Sequence, residues 1–413
     1  MSESGESTKI DFPNWKNFIP SKAKTPFYIY SESVLETLWI SFEKNVLNII
    51  PDLHLHFAMK ANNNPDVLSF FKSKGVGLDL VSYYEADLAK KFGFDPRQCV
   101  FSGVGKSTDE LERAVDEDIF LINIESRSEY LRLSKIASQK QKKVSISFRV
   151  NPDVDAKTHP YIATGLFEHK FGLDFESALD LFKEAHQDPW LDCKGISLHI
   201  GSQLFQLEAL DQAITLSLQL ASNLKALGLN LKYLDVGGGL GVNYKEINKI
   251  PNFKNYGEIL SKHSKNWKEL FGKEAHLVSE CGRSLCAQAG ILVTEVIGLK
   301  SNQKKNFAIV DASMTELMRP ALYQAEHPMI AITSETQEIT YDVVGPVCES
   351  SDVLAKGYSL PKLQEGEHIL IMGCGAYGYV MANHYNGRPL PEEWWLNKSN
   401  AARISRAREA FDS

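Results

Sequence analysis

The sequence predicts an α/β barrel of eight parallel strands, TIM-like in plan, joined to a C-terminal, mostly antiparallel β domain. Three observations carry this. Eight strand-like runs alternate with amphipathic segments from about residue 33 to residue 288. Those runs are apolar nearly throughout, as strands covered on both faces must be. After Gly290 the texture changes to short Val, Ile and Tyr runs with no long helical period between them.

Taken in order, Met1 to Ser21 reads as a loosely ordered lead-in and Phe27 to Tyr30 as an aromatic strand that joins the β domain. A helix is expected over Ser33 to Ile49, where Leu35, Leu38, Ile40, Phe42, Val46 and Ile49 are apolar. The barrel strands follow as His54 to Lys60, Val76 to Ser82, Cys99 to Gly103, Ile119 to Ile124, Val144 to Val150, Gly195 to Ser202, Leu231 to Gly237 and His276 to Glu280. Between them come helices over Tyr84 to Phe92, Thr108 to Val115, Ser128 to Ala137, Phe175 to Ala185, Leu207 to Leu227 and Tyr256 to Phe271. An open dinucleotide-binding sheet would need Gly-x-Gly-x-x-Gly after its first strand, and none stands there. The β domain is expected to use Ile291 to Val296, Phe307 to Val310, Ile339 to Val344, His368 to Ile371 and Tyr377 to Met381. The chain is thus divided at residues 1–32, 33–288 and 289–413.

At 413 residues a large core is no obstacle, and a net charge of −7 favours neither nucleic acid nor an anionic membrane as partner. A small molecule is the expected ligand. No apolar run of about 18 residues occurs, and Met1 to Lys9 lacks the basic start and apolar segment of a signal peptide, so a cytoplasmic location is expected. The six cysteines lack metal-ligand spacing, so free thiols and no metal site are expected.

In such a barrel the chemistry sits at the carboxyl ends of the strands. Lys60 ends the first, after the apolar Leu55-His56-Phe57-Ala58-Met59. An amine there, partly desolvated, can stay neutral and form a Schiff base with an aldehyde cofactor; the alternative is a solvated lysine. Asp79, Arg149 and His199 lie late in the second, fifth and sixth strands and are counted with the same cofactor site. His199 offers a flat ring for stacking, or is a core histidine. Gly237-Gly238-Gly239 after the seventh strand lets backbone N–H groups converge on a phosphate, or is only a tight turn. Ser202 could add a hydrogen bond to that phosphate. Glu280 could keep a pyridine nitrogen protonated, making the ring an electron sink, or could pair with Arg149 or Arg283.

The motifs Phe57-Ala58-Met59-Lys60-Ala61-Asn62, Thr158-His159-Pro160-Tyr161, Lys170-Phe171-Gly172, His199-Ile200-Gly201-Ser202-Gln203, the Gly237 run, Glu280-Cys281-Gly282-Arg283, Arg319-Pro320-Ala321-Leu322-Tyr323, Cys348-Glu349-Ser350 and Gly375-Ala376-Tyr377-Gly378 follow one another in fixed order. In this, from about Thr25 to Asn397, the chain resembles the alanine-racemase-like, fold type III barrel decarboxylases that use pyridoxal phosphate. The resemblance implies that Lys60 holds the cofactor, His199 stacks on its ring and Glu280 meets its nitrogen. It gives the phosphate to Ser202, Gly237, Gly238, Gly239, the backbone of Glu280, Cys281, Gly282 and Arg283, and Tyr377. It further implies that Arg283, Arg319 and Tyr323, with Tyr377 nearby, hold a distal carboxylate of an amino-acid substrate. Glu349 would hold its distal ammonium, and Cys348 would donate the proton that replaces carbon dioxide. Cys348 and Glu349 are implied to come from the second subunit of a homodimer.

Two arginines beside a bare distal ammonium would be repulsive, which argues for a diamino dicarboxylic acid over ornithine or lysine. D-ornithine or D-lysine decarboxylation on the same scaffold is the alternative; a non-catalytic regulatory relative would have no reason to retain Lys60, His199, Glu280 and Cys348. Where the family usually has proline, this chain has Cys281, whose freer φ is expected to loosen the phosphate turn slightly. The loop from Asn151 to Phe167 is either a lid or a packed loop.

Overall fold

The computed structural model describes residues 9–155 and 170–408. The Thr158 to Gly165 motif, and with it most of the loop weighed as a lid, lies outside the described residues.

A first strand, β1 (Phe27–Ser31), runs directly into helix α1 (Glu32–Phe42), whose N-terminus is capped by the Ser31 hydroxyl. The helix expected to reach Ile49 instead gives way at Glu43 to a wider π turn over Glu43–Leu47. Eight parallel strands then close on themselves: β2 (His54–Ala58), β3 (Gly77–Leu80), β4 (Cys99–Phe101), β5 (Leu121–Ile124), β6 (Val144–Arg149), β7 (Leu191–Ser197), β8 (Tyr233–Asp235) and β9 (His276–Ser279), with β9 pairing back to β2. Between them lie α2 (Pro65–Ser73), α3 (Tyr83–Lys91), α4 (Thr108–Asp116), α5 (Arg127–Lys140), α6 (Phe175–Gln187), α7 (Glu208–Ala226) and α8 (Phe253–Phe271). The predicted α/β barrel is therefore present.

Helix α2 was not foreseen, because Asn62-Asn63-Asn64-Pro65 reads as a turn. Asn64 is in fact the N-cap, its side chain accepting from the Asp66 and Val67 N–H groups, and Pro65 occupies the first turn. The helix buries Val67, Leu68, Phe70 and Phe71, and Phe71 stacks on Phe57 of β2 at a centroid distance of 4.2 Å. Lys106, in the loop after β4, is buried together with Glu129 and pairs with it at 2.7 Å. Its ammonium also donates to the carbonyls of Gly103 and Asn123, at 2.7 and 2.6 Å, which pins the ends of β4 and β5 together.

After the short helix α9 (Arg283–Cys286) the chain enters a nine-stranded sheet: β10 (Gly290–Ser301), β11 (Asn306–Val310), β12 (Met329–Ile332), β13 (Glu338–Val344), β14 (Val353–Pro361), β15 (His368–Met372), β16 (Glu392–Leu396) and β17 (Ala402–Arg406), together with β1. Helix α10 (Arg319–Tyr323) sits between β11 and β12. The sheet is mostly antiparallel; β1 with β16 and β11 with β13 are the parallel pairs. β1 lies between β10 and β16, as expected of a strand that joins the second domain.

One expected strand is not formed. Tyr377 to Met381 is a turn followed by a short 3-10 helix, because the glycines around it set a tight reversal: a side chain at Gly375 would stand 2.0 Å from the Cys286 carbonyl oxygen. Tyr377 itself takes φ 55°, and its N–H donates to the Ala61 carbonyl at 2.8 Å. That bond brings this turn onto the one that carries Lys60.

Candidate active site

β2 stops at Ala58, two residues earlier than its apolar run suggested, and Met59–Ala61 forms a single 3-10 turn. The register pairs Ala58 with Asp79 of β3, so the turn presents Lys60 beside Asp79, and Nζ donates to Oδ2 at 2.7 Å. Burial alone would lower the lysine's proton affinity. The carboxylates of Asp79 and Glu280, with the Tyr377 hydroxyl, outweigh it, and the Lys60 pKa is raised above the ordinary lysine value. Without a cofactor, Lys60 is an ammonium.

Polar side chains form the floor beneath it. Asp79, Ser102, Asn123, Ser147, Asp235 and Glu280 are all buried. They come from β3, the end of β4, β5, β6, β8 and the residue after β9. Asn123 and Ser147 are paired in register, and the Ser147 hydroxyl donates to the Asn123 carbonyl oxygen. Glu280 accepts from Ser102 Oγ at 3.1 Å and from Asn123 Nδ2 at 3.3 Å. It does not pair with Arg149 or Arg283. Arg149 instead pairs with Glu125 at 2.8 Å and lies over the Phe171 ring. Ser102, Asn123, Ser147 and Asp235 were not singled out from sequence. The available clue was a polar residue interrupting each apolar run.

His199 lies beyond β7, which starts earlier than expected, at Leu191, and ends at Ser197. Its Nδ1 accepts from the Gly201 N–H at 3.2 Å, which assigns the ring proton to Nε2. Burial, and then the cations Arg149 and Lys60, hold its pKa well below the ordinary histidine value, so the ring is neutral and flat. Lys60, Ser102, Asn123, Arg149, His199 and Glu280 line one cavity of about 210 Å³.

The glycine run closes one margin of this site. A side chain at Gly238 would stand 2.2 Å from the Glu280 carbonyl oxygen, and one at Gly239 would stand 2.3 Å from that of Gly201. Glycine is therefore required for three backbone segments to meet here. The Gly237 N–H is taken by Asp235 Oδ1 at 2.9 Å, whereas those of Gly238 and Gly239 meet no acceptor among the described residues. Ser202 accepts from Arg283 Nη2 at 3.0 Å, and the Arg283 guanidinium lies over the Tyr377 ring. The Cys281 thiol turns away toward Ser279 and Tyr256, while its carbonyl accepts from the Ala58 N–H at 3.0 Å.

Arg283 and Arg319 flank Tyr244: Arg283 Nη1 donates to its hydroxyl at 3.4 Å, and Arg319 lies over its ring at 4.6 Å. His327, kept neutral by burial with its pKa pushed down to about 3, accepts from Arg319 Nη1 at 2.7 Å and donates from Nδ1 to the Met372 carbonyl. Both guanidiniums are buried, neither meets a carboxylate among the described residues, and the Nε of each has no hydrogen-bond partner there. Unspent cationic donors of this kind call for an anion.

Tyr323, half-buried, ends the helix α10 that Arg319 begins. Cys348 and Glu349 are not brought to Lys60 by their own chain. They are exposed on the connection between β13 and β14, where the Cys348 N–H donates to Asn386 and the Tyr385 hydroxyl donates to Glu349 at 2.6 Å. A larger cavity of about 860 Å³ runs between that connection and α10, with Tyr244 and His327 in its wall.

An amine on a strand-end turn, a neutral ring beside it, a buried carboxyl beneath and free backbone N–H groups at the margin fit pyridoxal phosphate. The chain belongs to the pyridoxal-dependent decarboxylases: the family model described as "Pyridoxal-dependent decarboxylase, pyridoxal binding domain" matches residues 37–287. The cofactor is pyridoxal phosphate. Among relatives, diaminopimelate decarboxylase of Vibrio cholerae is 44% identical over 390 residues, spanning 94% of this chain and 91% of that one. The crystal structure of diaminopimelate decarboxylase from Helicobacter pylori complexed with L-lysine superposes with a TM-score of 0.89 at 39% identity, covering 96% of this chain and 97% of that one. The enzyme from M. jannaschii in co-complex with L-lysine superposes with a TM-score of 0.88 at 31% identity, covering 94% and 91%.

Proposed function

We propose that this chain decarboxylates meso-2,6-diaminopimelate to L-lysine and carbon dioxide. The observation that carries the reading is the pair of buried guanidiniums, Arg283 and Arg319, without a carboxylate of the protein's own. A substrate with a carboxylate at its far end supplies what they lack, and the bond would be charge-assisted and shielded from water. Relatives bearing this activity by name, two of them solved with L-lysine, support it.

When bound, pyridoxal phosphate supplies an electron sink for the carbanion left by carbon dioxide. The chain's own residues do the rest. Lys60 Nζ is the attachment point, and Asp79 receives its charge in the resting protein. His199 offers its face to the ring, and Glu280 stands below for the ring nitrogen. The N–H groups of Gly238 and Gly239, with Ser202 and the turn from Glu280 through Cys281 and Gly282 to Arg283, take the phosphate, assisted by Tyr377. Arg319 and Tyr323 join Arg283 in gripping the distal carboxylate, which fixes the orientation of the scissile bond.

A homodimer completes the site: Cys348, as proton donor, and Glu349, for the distal ammonium, act in the neighbouring subunit. Their exposure within their own chain supports this. A cytoplasmic location fits six cysteines that are all unpaired, and no helix among the described residues is long and apolar enough to cross a membrane.

The direct test is carbon dioxide release from meso-diaminopimelate, D-lysine, D-ornithine and L-ornithine at equal concentration. Diaminopimelate is expected to lead by about 100-fold or more, the effect of losing one partner of a buried charge pair; equal rates, or a lead for a D-amino acid, would reject the assignment. The shared site has its own test. Mixing inactive Lys60→Ala and Cys348→Ala chains should restore part of the activity through hybrid dimers with one intact site, and no recovery would rule the sharing out.

A further inference from the structure

The barrel floor holds more acid than the site has base to balance. Asp79, Asp235 and Glu280 converge there, each buried. Lys60 is the cation that reaches them, and it is bonded to Asp79. The other charged and titratable groups around the floor offer no second counterion: Arg149 is committed to Glu125, His199 is neutral, and Tyr256 of α8 bonds Ser279 through its hydroxyl at 2.8 Å. Three carboxyl groups facing one ammonium in a water-poor cavity retain a proton among themselves.

The geometry says where. Asp235 is held at both oxygens by N–H donors, Gly237 N–H on Oδ1 at 2.9 Å and Asn123 Nδ2 on Oδ2 at 2.9 Å. Donors at both oxygens favour the charged form. The same Asn123 amide reaches Glu280 Oε1, and the Asn123 carbonyl oxygen is occupied by the Ser147 hydroxyl, so the amide cannot turn over. Lys106 fixes the Asn123 backbone from below. The two carboxyl groups thus converge on one amide nitrogen, Asn123 Nδ2, at 2.9 Å from Asp235 and 3.3 Å from Glu280. Burial pushes Asp235 up to about 6, and burial followed by the charges of Asp235 and Asp79 pushes Glu280 well above the carboxyl range.

We propose that Asp235 is a positioning residue that shares one proton with Glu280, so that the barrel already holds the proton taken up by the cofactor's ring nitrogen. On binding, the O–H bond at Glu280 breaks and an N–H bond forms at the ring. Glu280 is left as an anion beneath a cationic ring, and no electrons are transferred. Asp235 remains an anion throughout and, with Asp79, keeps the floor negative enough to hold that positive charge. The inference rests on the placement of Glu280 under the ring nitrogen, and its first half is testable with no cofactor present.

Infrared difference spectroscopy reads the proton directly. At about pH 8, far above ordinary carboxyl values, the cofactor-free protein should show a carboxylic-acid carbonyl stretch that is lost in Asp235→Asn and in Glu280→Gln. Absence of that band, or its survival in a folded Asp235→Asn protein, would overturn the shared proton. Pyridoxal phosphate should abolish the band in the unsubstituted protein; its persistence there would overturn the transfer while leaving the sharing intact. Isotope labelling needs no variant. Carboxyl-13C glutamate should move the acid band, and carboxyl-13C aspartate should move a carboxylate stretch that changes with it on loading. A loading spectrum without an aspartate contribution would overturn the role of Asp235.

Discussion

Lys60→Ala is expected to lose activity by about a thousandfold or more, together with the visible absorbance that borohydride removes from the parent protein. The effect is large because Nζ is the proposed attachment point of the cofactor and also neutralises Asp79, from 2.7 Å. Alanine would leave a buried carboxylate whose other oxygen, Oδ1, already has no hydrogen-bond partner, so part of the loss could come from a disturbed floor. Lys60→Arg separates the two effects. It keeps a cation beside Asp79 but offers no amine for attachment, so it should unfold at the parent's temperature and still lack the absorbance. A Lys60→Arg protein with the parent's spectrum would remove Lys60 from its role.

Arg319→Met should lower kcat/KM for diaminopimelate by about 30-fold or more, the consequence of about 2–5 kcal/mol lost when one partner of a buried charge pair is truncated. The same variant should change kcat/KM for D-lysine by no more than about threefold, since that substrate has no distal carboxylate to lose. Arg319 suits this comparison better than Arg283. Its partners are His327 and the Tyr244 ring, whereas Arg283 also donates to Ser202, a proposed phosphate ligand. A matched fall on both substrates would show that Arg319 supports the fold of α10 instead of the substrate.

Much of the barrel was legible because its strands are buried on both faces, which writes them as short apolar blocks. Their ends were less so. The block through Met59 and Lys60 looks continuous, but pairing with β3 ends at Ala58 and the backbone turns there. In the second domain β12, β14, β16 and β17 were missed for a related reason. β14 buries only Leu354 and Leu360 and carries a glycine at 357, and β17 is exposed or partly exposed along its length. Pairing with neighbours distant in sequence, and not their own composition, makes these segments strands.

The site divides similarly. Lys60, the glycine run and Glu280 stood out as chemistry at strand ends. Arg283 and Arg319 were reached from sequence only through the motifs of the resemblance; that they are buried about one tyrosine without a carboxylate is a three-dimensional fact. The ion pair between Lys60 and Asp79, 19 residues apart in the chain, is likewise a three-dimensional fact.

The position of β1 bears on how the molecule is made. It pairs on one side with β10 and on the other with β16, whose last paired residue is Leu396. A growing chain therefore emits the central strand of its second sheet first, and that strand, ending at residue 31, must wait for its partner until residue 396 has been made. Until then the apolar Phe27-Tyr28-Ile29-Tyr30 segment has an open edge, the kind of template on which strands of other chains add. Ribosome stalling before Glu392, or premature termination there, would yield a chain with its barrel residues complete and an adhesive strand exposed, so aggregation would precede any loss of barrel structure.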